Sequence, residues 1–204
     1  MPVMKFSAFF RIILFALCLL PAISHAETIL VFGDSLSAAY GIPRESGWVS
    51  LLQQKLQRTH PRYQVVNASI SGETTAGGAQ RMASTLKQHR PAIVILELGA
   101  NDGLRGTPVA SIEANLAKLI QQIRKTRAKV LLLGIQLPPN YGSNYTTRFK
   151  TMYAKLAQQH RIPLVPFLLE GVKPEQFQAD NLHPAAEAQP LILDTVWQKL
   201  QPLL

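Results

Sequence analysis

Ser35 closes the stretch Thr28-Ile29-Leu30-Val31-Phe32-Gly33-Asp34-Ser35. A short apolar run ended by glycine reads as a buried strand entering a tight turn. In open parallel sheets the ligand crevice lies beyond the carboxyl ends of the strands. That places Ser35 at the mouth of such a crevice. A hydroxyl is a weak nucleophile alone. It needs a base in hydrogen-bond reach, a group to orient the base, and donors for the developing oxyanion. Asp180-Asn181-Leu182-His183-Pro184 supplies a carboxylate three residues before an imidazole. Ser71-Gly72-Glu73 and Gly99-Ala100-Asn101-Asp102 supply candidate donors. Gly72 leaves its backbone N–H open to a ligand, and the Asn101 amide follows the most apolar stretch of the chain. The chemistry these residues could do together is acyl transfer by a serine nucleophile.

Each group also has a plain structural reading. Gly33-Asp34-Ser35 alone is a capped turn with Ser35 opening a helix. Asp180 alone is a turn residue bonding local backbone. Gly72 alone is a turn glycine, and Asn101 a loop-bracing amide. Asp34 and Asp102 are expected to fix turn geometry rather than react, with Asp34 bonding inside its own loop. Beyond the leader, three other histidines, His60, His89 and His160, lie in polar connections beside basic residues. Positions near helix ends explain those three. His183 differs, because it follows the last expected strand.

Other chemistries lack their residues. There is no G-x-G-x-x-G, no phosphate-binding G-x-x-x-x-G-K-[ST] and no H-E-x-x-H. The G-x-S-x-G elbow is also absent, since Ser37 stands where its second glycine belongs. The single cysteine, Cys18, falls in the N-terminal stretch, so no thiol nucleophile or disulfide is expected beyond it. No cofactor and no metal are called for.

The elements that must position these residues follow from periodicity. Trp48, Leu51, Leu52 and Leu56 recur at helical spacing, which predicts a helix from Glu45 to Thr59, broken by His60-Pro61. Gln64 to Ala68 reads as a second strand. Ser69 to Gly78 is a small-residue loop, and a helix runs on to His89. Ala92 to Leu98 is a third strand, apolar almost throughout, as when both faces are covered. Gly99 to Gly106 is a loop. Thr107 as N-cap and Pro108 as first residue open the next helix, whose apolar face holds Ile112, Leu116, Leu119, Ile120 and Ile123. Lys129 to Ile135 is a fourth strand. Leu137 to Asn144 is too rich in proline and glycine for regular structure. Tyr145 to Gln159 is a helix, Pro163 to Pro166 a short edge strand, and the last helix starts near Pro190. Five strand–helix alternations predict an α/β three-layer domain on a parallel sheet.

Before that domain, Lys5 and Arg11 precede the apolar stretch Ile12 to Leu20, then Pro21 and Ser24-His25-Ala26. That layout is a secretory signal peptide, residues 1–26, cleaved after Ala26. It leaves 27–204 as one domain, with no stable membrane anchor, in the periplasm or outside the cell. Losing Lys5 and Arg11 takes the formal charge from +9 to +7. The cations are scattered, with the densest group, Arg124 to Lys129, at a helix end. No basic stripe with interleaved aromatics is present, so no nucleic acid partner is expected.

The motifs taken in order resemble a family. Gly33-Asp34-Ser35-Leu36, Gly72, Gly99-x-Asn101-Asp102 and Asp180-x-x-His183 match the four blocks of the SGNH, or GDSL, hydrolases. The stretches Val66 to Thr74, Glu97-Leu98-Gly99, Asn101 to Gly106 and Leu137-Pro138-x-Asn140-Tyr141-Gly142 are similar to its bacterial subgroup of thioesterases and lysophospholipases. Two departures stand out: Ala100 where that subgroup usually has glycine, and Asn181-Leu182 where Gly-Ile is common. The resemblance implies a flavodoxin-like fold with a five-stranded parallel sheet and helices on both faces. It implies Ser35 as nucleophile, His183 as base, Asp180 as its orienting acid, and an oxyanion hole of Ser35 N–H, Gly72 N–H and the Asn101 side chain. The substrate is then a small-molecule acyl ester or thioester, with Leu104, Leu137 and Tyr141 as contacts, and the protein a monomer. A carbohydrate O-acetyl esterase on the same scaffold is an alternative that suits a tight polar pocket. A non-catalytic binder of acyl groups is a second.

Overall fold

β1 (Glu27–Phe32) is the strand the sheet is built around. Ile29, Leu30, Val31 and Phe32 are all fully buried, so both faces of the strand are covered. The structure, a computed structural model, describes residues 26–204. The leader expected at 1–26 lies, apart from Ala26, outside the described residues.

Four more strands follow: β2 (Tyr63–Asn67), β3 (Ile93–Leu96), β4 (Lys129–Leu133) and β5 (Leu164–Val165). They form one sheet in the order β2–β1–β3–β4–β5, and every pairing is parallel. This is the flavodoxin-like order, and its switch point lies between β1 and β3. Loops leaving those two strands diverge there and open a crevice. Ser35 follows β1 and Asn101 follows β3, so the switch point brings both to one edge.

The described residues hold six helices, five between strands and one after β5: α1 (Trp48–Thr59), α2 (Thr75–His89), α3 (Ala100–Leu104), α4 (Val109–Lys125), α5 (Ser143–His160) and α6 (Gln189–Leu200). α1 packs on α6, while α2, α4 and α5 pack side by side. Each group covers one face of the sheet, as right-handed crossovers from a reversing strand order require. α4 shows the cause most plainly. Its expected apolar face, Ile112, Leu116, Leu119, Ile120 and Ile123, is completely buried.

Some boundaries differ from the expected ones. Arg44–Ser46 forms a 3-10 turn, and extended Gly47 separates it from α1, so that helix starts at Trp48 rather than Glu45. Thr107 does not cap α4. Pro108 is the N-cap residue, with no side-chain cap bond. The loop after β3 contains α3, whose five residues are too few to show a helical period. The Pro-rich segment after β4 holds a 3-10 turn at Pro139–Tyr141, and α5 begins at Ser143.

Phe149 of α5 is fully buried between the rings of Tyr145 and Tyr153, at centroid distances of 6.4 and 5.6 Å. Phe149→Ala removes the largest part of that packing. It should lower the unfolding free energy by about 3–5 kcal/mol, read from chemical denaturation midpoints.

Candidate active site

The turn after β1 is fixed from below and within. Gly33 is a steric requirement, because a Cβ there would stand 2.6 Å from Glu97 Oε2. Asp34 Oδ1 accepts the Leu36 N–H at 3.1 Å, which bends the chain inside its own loop as expected. Ala38 N donates to Asp34 O at 3.0 Å. Ser35 is left partly exposed at the tip, so the turn presents its hydroxyl to the crevice.

His183 arrives from the far end of the chain on an irregular segment after β5. That segment is held by the Gln178 side chain, whose Nε2 donates to Tyr40 O at 2.8 Å and to Pro184 O at 3.1 Å. Gln178 N also donates to His183 O at 2.8 Å. Asn181 takes a left-handed backbone, φ 57°. Asparagine is the residue besides glycine that accepts this region most readily, so the departure from Gly-Ile keeps the turn.

Asp180 performs both tasks weighed for it in the sequence. Its Oδ1 accepts the N–H groups of Leu182 and His183 at 2.9 and 3.0 Å, which shapes the turn. Its Oδ2 meets His183 Nδ1 at 2.6 Å. The other ring nitrogen, His183 Nε2, lies 2.8 Å from Ser35 Oγ. With Nδ1–H donating to Asp180, Nε2 is the acceptor for the serine proton. Three residues from two ends of the chain thus form one hydrogen-bonded line. His183 and Asp180 side chains keep 20% and 38% exposure, so water can reach the base. Those backbone and side-chain hydrogen bonds to residues 182–183 outweigh slight burial and lower the Asp180 pKa to about 2.

The donors converge on the same edge. Gly72 has φ 79°, which favours glycine, and the space where a Cβ would sit is empty. Among the described residues, neither Ser35 N–H nor Gly72 N–H donates to a protein acceptor. Asn101 lies in the first turn of α3. Its Nδ2 donates to Asp34 Oδ2 at 3.1 Å and to Glu73 O at 3.0 Å. Both amide hydrogens are therefore engaged, and an oxyanion must share or displace one of those acceptors. Asp102 is a structural tie rather than a turn device: its carboxylate accepts Thr75 N and Thr75 Oγ1 at 2.8 and 2.7 Å.

A cavity of about 520 Å³ opens beside Ser35 and His183. Leu104, Ile135 and Leu137 line it, as do Phe167, Leu169 and Phe177. Tyr141, expected as a contact, is not among the lining residues. Its hydroxyl donates to Leu104 O at 3.1 Å and braces the wall from behind. Sequence reasoning missed Tyr40, whose ring lies 4.5 Å from that of His183 and borders the cavity. Nothing in its neighbourhood, Ala38-Ala39-Tyr40-Gly41, signals that role. No group of metal-ligating side chains occurs among the described residues.

Fold and site together define a class, a hydrolase built on a flavodoxin-like sheet with a serine at its switch point. Residues 31–190 match the GDSL-like Lipase/Acylhydrolase family, and the chain belongs to that family. The esterase TesA of Pseudomonas aeruginosa is 52% identical over 191 residues, covering 93% of this chain and 95% of that protein. Thioesterase 1/protease 1/lysophospholipase L1 of Escherichia coli (strain K12) is 44% identical over 181 residues, covering 88% of this chain and 86% of that protein. A crystal structure of TesA matches with a TM-score of 0.85 at 52% identity, covering 87% of this chain and 100% of that chain.

The electrostatics set a pH dependence. Asp180 stays ionised down to about pH 2, and the imidazole beside it can take the serine proton only while unprotonated. A pH–rate profile should show an acid limb that persists in His60, His89 and His160 variants. Loss of activity in one of those three, with His183→Ala still active, would assign the base elsewhere.

Proposed function

We propose that the protein hydrolyses carboxylic esters and thioesters, including lysophospholipids and simple aryl or alkyl esters, through an acyl-enzyme on Ser35. The observation that carries this reading is the line Ser35 Oγ–His183 Nε2 at 2.8 Å and His183 Nδ1–Asp180 Oδ2 at 2.6 Å. The names of the relatives, an esterase and a thioesterase/lysophospholipase, support it.

In the first step His183 Nε2 takes the Ser35 proton as Oγ attacks the acyl carbonyl. Asp180 holds the ring in the required tautomer and stabilises the imidazolium. The oxyanion is received by Ser35 N–H, Gly72 N–H and the Asn101 amide. His183 then gives the proton to the leaving alcohol or thiol. Water, deprotonated by the same histidine, releases the acid and restores Ser35. No step calls for a metal or cofactor.

The apolar lining of the cavity favours an acyl chain over the acetyl group of a carbohydrate. The leader pattern at 1–26 supports a periplasmic or secreted location. Among the described residues no helix is long and apolar enough to cross a membrane. Basic residues close α2 and α4, where they suit helix dipoles, which argues against a nucleic-acid surface. The protein is read as a monomer acting on small acyl substrates.

Two variants test the reading. Ser35→Ala should leave only about 10³–10⁴-fold catalysis over water, measured as steady-state hydrolysis of an aryl ester, with the melting curve unchanged. Near-normal turnover would remove Ser35 from the reaction. Each buried CH₂ of an acyl chain contributes about 0.8 kcal/mol. Leu137→Ser should therefore depress kcat/KM for long acyl chains and spare acetyl esters in a chain-length series. Parallel losses at every length would make Leu137 a packing residue.

A further inference from the structure

Two carboxyl groups lie under the Ser35 turn, and none of the steps above uses either. Asp34 and Glu97 are both fully buried. Glu97 continues β3 by one residue, and its Oε2 accepts Ser37 Oγ at 2.8 Å and Asp34 N at 3.2 Å. The Gly33 backbone passes so close that a side chain there would strike this oxygen. The second oxygen, Glu97 Oε1, is buried with no hydrogen-bond partner. The Asp34 carboxyl stands beside it, with Asp34 N–H on Glu97 Oε2 and Asp34 charge acting on Glu97.

Two carboxylates are acceptors only, and two adjacent ones buried without a cation cannot both ionise, so the pair keeps one proton. The Asp34 oxygens already receive donors, Leu36 N–H on Oδ1 and the Asn101 amide on Oδ2. Glu97 Oε1 receives none. The proton therefore belongs on Glu97. We propose that Glu97 is a positioning residue: as a neutral carboxylic acid it donates to Asp34, and the singly charged pair holds the Ser35 turn and the Asn101 amide in one geometry. This rests on the acyl-transfer reading, in which Asn101 serves the oxyanion. A leucine at 97 would fill the space but leave Asp34 without its donor.

Burial agrees in direction. It raises the Glu97 pKa well above the ordinary carboxylate range, helped by the neighbouring Asp34 charge, and raises Asp34 to about 6. The groups facing the pair are few. Tyr153 comes from α5, with its own pKa pushed well up by burial and its hydroxyl on Leu98 O at 3.0 Å. His183 acts on Asp34 from the crevice side, and Asp102 of α3 adds negative charge at Tyr153. Among the described residues no lysine or arginine pairs with either carboxyl.

The test compares wild type, Glu97→Gln and Glu97→Leu, measuring kcat, KM and melting temperature from about pH 5 to about pH 10. The glutamine amide can donate to Asp34 while its carbonyl keeps Ser37 and Asp34 N–H. Glu97→Gln should hold kcat within about threefold at neutral pH, whereas Glu97→Leu should lower kcat about 10–100-fold with little change in KM. In wild type kcat should fall at alkaline pH as the shared proton leaves, and in Glu97→Gln that fall should be absent. Stability carries a separate sign. A carboxyl whose folded-state pKa is raised stabilises the fold fully below its unfolded value, and that contribution is lost as pH rises toward the folded-state value. The wild-type melting temperature should decline over that window more than that of Glu97→Gln. Glu97→Gln as impaired as Glu97→Leu, or an alkaline fall shared by wild type and Glu97→Gln, would overturn the proposal. If Glu97→Leu does not fold, wild type against Glu97→Gln decides alone. If wild type hydrolyses no ester, the functional reading fails, and the melting curves still report whether Glu97 holds the proton.

Discussion

The contact between His183 Nε2 and Ser35 Oγ, 2.8 Å long, joins residues 148 positions apart. Everything else in the molecule bears on keeping it. A serine hydroxyl becomes a nucleophile only when its proton has somewhere to go. One end of the contact rides on the turn after β1, an interior strand of the sheet. The other rides on an irregular segment that the sheet cannot hold directly. The parallel order β2–β1–β3–β4–β5 makes the first end rigid, since β1 is paired on both sides. Local devices hold the second: Asp180 bonding its own turn, Asn181 in the left-handed region, and Gln178 tying Tyr40 to Pro184.

The switch point explains why the donors are where they are. β1 and β3 are neighbours whose connections leave in opposite directions. Ser35 and Asn101, 66 positions apart in the numbering of the chain, end on the same lip. Asp34 connects them physically, with Leu36 N–H on one oxygen and the Asn101 amide on the other. The Ser35 turn and the Asn101 amide are thus one hydrogen-bonded unit. Displacing Asp34 would disturb both together.

Much of this was legible in the residues. The apolar runs at Ile29–Phe32 and Ile93–Leu96 are strands because β-branched and leucine side chains fill both faces of a covered sheet. Ser35, Gly72, Asn101, Asp180 and His183 were each recognisable by type and by place after an element. What was hidden depends on distant partners. α3 is too short for a period to show. Pro108, rather than Thr107, caps α4, because the backbone there is already extended. Tyr141 looked like a wall of the groove and is its brace, since its hydroxyl found the Leu104 carbonyl. Glu97 stood in a stretch, Glu97-Leu98-Gly99, that resembles the family, with no role assigned to it. Only the fold shows that it faces the underside of the Ser35 turn. Tyr40 meets His183 through a ring contact that no local pattern announces.

The central claim is that an acyl group passes through Ser35 on its way to water. The direct measurement is to mix the protein with a slowly hydrolysed aryl ester, quench in acid during turnover, and locate the acyl mass by peptide mapping. A burst of about one aryl alcohol per chain, with the acyl group on the peptide at Ser35, is the predicted result. Steady turnover with no burst and no acylated peptide, or an acyl group on another residue, would contradict it.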